Sequence, residues 1–125
     1  MRTMAQRDLV LRWIRQAARV IARLLRSDQV ADLELARLEL ESAMETLLGN
    51  LARVIPALDA GSACALLHDA ERILGYARLL ALEAALLRAT GDATAAARLD
   101  ARAEECSAIA FRERPDLASE TDDGL

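Results

Sequence analysis

Residues 10–48 read VLRWIRQAARVIARLLRSDQVADLELARLELESAMETLL, and the spacing of apolar side chains in that run decides the fold. At about 100° per residue, Arg12, Arg15, Arg19, Arg23 and Arg26 fall within an arc of roughly 80°. Val10, Trp13, Ile14, Ala17, Val20, Ile21, Leu24 and Leu25 take the opposite side, the pattern of a strongly amphipathic helix. Thr3, in capping-box spacing with Gln6, places the start of this helix, which runs to about Arg26. Ser27 and Asp28 supply the cap for a second helix over about Gln29–Leu48, and Gly49 stops it. Its stripe is Leu33, Ala36, Leu40, Ala43 and Leu47, and Asp32, Glu34, Glu39, Glu41 and Glu45 make its exterior acidic. Two long amphipathic helices so closely joined predict an antiparallel hairpin.

Beyond Gly49 the signals weaken, because Pro56, Asp59 and Gly61 punctuate the chain up to Ser62. A turn or two of helix and a loop are expected there, followed by a short helix over about Ala63–Leu67. Asp69 caps a long helix from Ala70 to about Ala89, ended by Gly91, and Asp92 caps the last, about Ala93 to Arg114. The last helix carries a stripe of Ala96, Leu99, Ala103, Cys106 and Ala110. The helix before it is apolar on nearly every side, which predicts either a central place in a bundle or half of an oligomer contact. The expectation is an all-α bundle of antiparallel hairpins, four long helices and one short, forming one domain over residues 3–114. Residues 115–125, acidic and without apolar periodicity, read as a disordered tail.

Composition agrees. Of 125 residues 54% are apolar, mostly Leu and Ala, against one Trp, one Tyr and one Phe, so strand formers are scarce. The net charge of −4 argues against nucleic acid as a partner. Charge is uneven, however: residues 1–26 hold seven Arg and one acid, and residues 27–125 hold nine Arg against nineteen acids. Leu79–Leu87, interrupted by Glu83, is the most apolar run and far shorter than the ~20 residues of a membrane span. The start shows no secretory h-region, so Cys64 and Cys106 fit a reducing, cytoplasmic compartment.

Alanines seven apart, Ala36 with Ala43 and Ala96 with Ala103, the latter after the turn Gly91-Asp92, look like a degenerate tetratricopeptide repeat. A wider pattern comprises Gln6-x-Asp8, Arg12-x-Ile14, Arg19, Ala22-Arg23-Leu24 and Ala43-Met44 running into Leu47-Leu48-Gly49. It resembles a small bacterial family of tetratricopeptide-like helical proteins. Leu9 stands where that family has an aromatic, and Arg102-Ala103 where it has Lys-Ala. The resemblance implies an all-helical fold and no known activity.

Candidate chemistry is sparse. Cys64 and His68, four apart, share the spacing of two zinc ligands, but completion needs Cys106 and a carboxylate; a packed thiol and a histidine at a helix end are the plainer reading. Glu34 with Glu41, and Glu104 with Glu105, are paired carboxylates that read as solvated helix faces. No catalytic residue, metal site or cofactor is expected. What remains is the stripe of Arg12, Arg15, Arg19, Arg23 and Arg26. It predicts ion pairs with Glu34, Glu41 or their neighbours across the hairpin, a protein partner, or, less favoured, an anionic membrane surface. The leading expectation is a protein-interaction or scaffold module, homodimeric through the apolar surplus of the fourth helix: Ile73, Leu74, Tyr76, Ala77, Leu79, Leu80, Leu82, Leu86 and Leu87.

Overall fold

A computed structural model describes residues 4–118 except 28, with side chains from residue 12 onward. Five α-helices follow in order: α1 (Met4–Leu25), α2 (Val30–Leu48), α3 (Ala60–Leu67), α4 (Ala70–Ala89) and α5 (Ala93–Glu113). Two 3-10 turns, Gly49–Leu51 and Ile55–Ala57, bridge α2 to α3. Among the described residues there is no strand. No helix is long and apolar enough to cross a membrane.

Helix ends follow local chemistry. The Asp59, Asp69 and Asp92 carboxylates accept from the backbone N–H groups of Ser62, Glu71 and Ala95, satisfying donors that a helix leaves open. Asp59 starts α3 three residues before the expected Ala63; read in sequence as loop punctuation, it is a cap. The break between α1 and α2 also differs from expectation. Gln29, with no side-chain cap bond, occupies the N-cap of α2. Ser27 Oγ accepts from the Gln29 N–H and donates to Asp32, tying the loop to the first turn instead. Thr3 and Asp28 lie outside the described residues. Gly49 ends α2 at φ 55°, where a side chain would be strained.

α4 is the centre of the packing. α1 and α2 pack on each other and both lie on α4, while α5 runs along another side of α4 and α3 lies mainly against α5. Gly75 sits where three helices meet: a Cβ there would be in ordinary contact with Leu47 of α2 and Ile14 of α1. The apolar surface of α4 that looks excessive in sequence is covered from within. Ile73, Leu74, Tyr76, Ala77, Leu79, Leu80 and Leu86 are buried, and Leu82 and Leu87 half-buried. A homodimer through α4 thereby loses the surface that motivated it. The tail needs correction as well. Leu117 packs into the main core and Arg114 pairs with Asp116, so the fold continues past Pro115 at least to Ala118, and residues 119–125 lie outside the described part.

Candidate interaction surface

On α1 the arginines stand as the periodicity places them: Arg12, Arg15, Arg19, Arg23 and Arg26 are all exposed. None of the five forms an ion pair with a described residue. The cross-hairpin pairing is thus overturned. Glu34 and Glu41 lie at 2.9 and 2.8 Å from Arg37 of their own helix, three and four residues away, where a helix brings side chains together without help from a neighbour.

The apolar side of α1 also departs from expectation. Ile14, Ala17, Ala18 and Ile21 are buried, yet Trp13 and Val20 remain 39% and 44% exposed. Both fall about 80–100° from Ile21 around the helix, at the margin of a face wider than α2 and α4 can cover. The Val10 side chain lies outside the described part. On α2, Leu35 and Leu38 are 46% and 53% exposed, on the side away from the buried Ala36, Leu40 and Ala43. The outer surface of the hairpin thus combines cations with uncovered apolar groups.

Sequence reasoning passed over Arg102, which the fold uses most heavily. From α5 its guanidinium donates to the Ile55 and Leu58 carbonyls at 2.8 and 2.7 Å and to the Tyr76 hydroxyl at 3.0 Å. It also lies 5.7 Å from the Tyr76 ring centre. One side chain thereby ties α5 to α4 and to the turn before α3. Arg72 does similar work at the end of α2, donating to the Leu47 and Leu48 carbonyls that the helix leaves open. No short motif announces either role, because the partners, backbone carbonyls and one tyrosine hydroxyl, are distant in sequence.

The remaining candidates do not converge. Cys64 is buried on α3, whereas His68 leaves the helix at φ 73° and is exposed, so the i, i+4 spacing does not yield a ligand pair. Among the described residues no three His, Cys, Asp or Glu side chains gather as a metal site would require. Glu104 and Glu105 are exposed. An open groove of about 440 Å³ between α4 and α5 is floored by Ala77, Ala81 and Ala103 and edged by Arg78, Glu104 and Phe111. Asp100 and Ser107 also line it.

Cys64 of α3 and Cys106 of α5 are both buried in the main core and free of a disulfide. Burial raises the Cys64 thiol above its ordinary value and pushes Cys106 up to about 12, with Cys64 itself contributing. Thiols held protonated in this way are poor nucleophiles. Neither is expected to react with Ellman's reagent in the native chain near pH 8, whereas both should react once guanidinium unfolds it. Fast native labelling would contradict the burial.

Glu83 on α4 is half-buried. Burial, and then Glu41 on α2, raises its pKa. A carboxyl raised on folding contributes stability below its ordinary value of 4.5 and loses it as pH climbs through the folded value. Glu83→Gln is therefore expected to raise the melting temperature near pH 7 and to shrink the gain that the wild-type chain shows on mild acidification. An unchanged pH profile in the variant would refute this assignment.

No family model, no curated protein and no solved structure matches the chain.

Proposed function

We propose that the chain is a non-catalytic protein-interaction module whose contact surface is the outer side of the α1–α2 hairpin, and that it recognises an acidic helical partner. The observation that carries this reading is the row of five exposed arginines on α1, none paired with a described residue, beside the uncovered Trp13 and Val20. A row of cations on a rigid helix complements carboxylates, and a flanking aromatic adds the desolvated anchor on which interfaces depend. A tetratricopeptide-like arrangement of hairpins goes with this role. Its support is that Ala36 with Ala43 and Ala96 with Ala103 are buried, each pair on one helix face. A cytoplasmic location goes with two buried, unbonded thiols.

Capture from extract of the producing cell with immobilised wild type and with Arg12→Glu/Arg19→Glu/Arg23→Glu tests the reading. A salt-elutable acidic protein should be retained by the wild type and fall at least tenfold on the variant. Identical retention would reject the surface. The second reading, an anionic membrane, is favoured by the same arginines with Trp13. Salt-sensitive co-sedimentation with phosphatidylserine vesicles, lost in the same variant, would select it.

A further inference from the structure

Both helices of the hairpin carry a second apolar seam. Along α1, Trp13, Ala17, Val20 and Leu24 recur at intervals of four, three and four; along α2, Ala31, Leu35, Leu38 and Ser42 do the same. That is the heptad spacing with which one helix packs into another. In α1 the seam is part covered, for Ala17 is buried and Leu24 half-buried, but Trp13 and Val20 stay open. Leu24 and Leu25 pack against a cluster of Ile21 with Ala36 and Leu40 of α2, and Ile14 lies against Gly75 of α4. Trp13 and Val20, about 20–40° from Leu24 around α1, line the flank of that helix away from Ile14 and α4. With Leu35 and Leu38 they form one face of the hairpin, against which no other element of the chain packs substantially.

We propose that this face pairs with the same face of a second copy, giving an antiparallel four-helix bundle of two α1–α2 hairpins. The inference rests on the contact surface read above and names its occupant. Charge selects the occupant and its orientation. From Arg12 to Arg26, α1 and the turn after it carry five Arg and no acid; α2 carries Asp32, Glu34, Glu39, Glu41 and Glu45 against Arg37 alone. A twofold axis parallel to the helices sets basic α1 over acidic α2 of the other copy twice, with every neighbouring pair antiparallel. The alternative axis, across the helices, would set α1 on α1 and repel.

The register follows from the loop. Because α1 ends at Leu25 and α2 begins at Val30, residues whose numbers sum to about 55 stand at one height. Arg23 then meets Glu34 of the second copy, and Arg12 meets its Glu45. A face about 30 Å long and about 20 Å wide offers roughly 600 Å² per copy, near the ~800 Å² per partner of a standard interface. The exposed Arg37 pairs cost little to rearrange.

Sedimentation velocity of the full chain over micromolar concentrations tests the proposal. The wild type should give twice its 13.6 kDa mass and dissociate as salt rises. Leu38→Asp, a change on an exposed side, should give a monomer with unaltered helical circular dichroism. Arg23→Glu and Glu34→Arg, each alone, should weaken association at least tenfold. Mixed one to one, they should restore it, because the heterodimer holds one pair with its native sign and the other reversed. A monomeric wild type, a dimer indifferent to Leu38→Asp, or a mixture that stays monomeric would overturn the pairing. A monomer that still retains an acidic protein, or binds anionic vesicles, through its arginines overturns the second copy while sparing the wider reading.

Discussion

An Arg102→Ala variant is expected to unfold about 12 °C below the wild-type chain, a loss of about 3 kcal/mol on a scale where one kcal/mol moves a domain of this size by about 4 °C. The guanidinium makes three hydrogen bonds, to the Ile55 and Leu58 carbonyls and the Tyr76 hydroxyl. Charged hydrogen bonds are worth about 1.5–3 kcal/mol each, and the three are not additive since they share one group. Truncation also takes this donor from the Leu58 carbonyl and the buried tyrosine hydroxyl, while the Ile55 carbonyl keeps the Leu58 N–H. Arg102→Lys keeps the charge but not the planar fork, so it should recover less than half of the loss. A circular-dichroism melt showing less than about 1 kcal/mol of destabilisation in Arg102→Ala would mean that water replaces the side chain at little cost.

Leu79→Ala should cost about as much for a different reason. Leu79 has no exposure and lies in the main core at the middle of α4. Removing a fully buried leucine side chain costs about 2–5 kcal/mol, from lost transfer free energy and from the cavity left by neighbours that relax only in part. Such a loss is a large share of the ~5–15 kcal/mol that holds a domain together. Leu87→Ala on the same helix, at a half-buried site, should cost less than half as much. Urea titrations of the two variants decide it: equal midpoints would show that α4 is not central.

Much of the fold was legible in the chain. α2, α4 and α5 end where glycines, aspartates and stripes place them, since helix period and capping are local properties of a few neighbouring residues. The arginines of α1 were legible for the same reason: five cations on one arc have to face water. What could not be read was what each face meets. Trp13 and Val20 look as apolar as Ile14 and Ile21, and only the width of the neighbouring helices separates them. The apparent surplus on α4 was an error of the same kind, because a helix surrounded by others needs apolar side chains on every flank.

The sequence by itself determined the helices, their order and the segregation of basic α1 from acidic α2, because those depend on periodicity and on charge along the chain. Tertiary structure alone decided that α4 is central, that Arg102 bridges α5 to a distant turn, and that the stripe of α1 is left open. The physical reason is range: a side chain's direction follows from the backbone within one turn, but its partner depends on which surfaces the whole chain has already used.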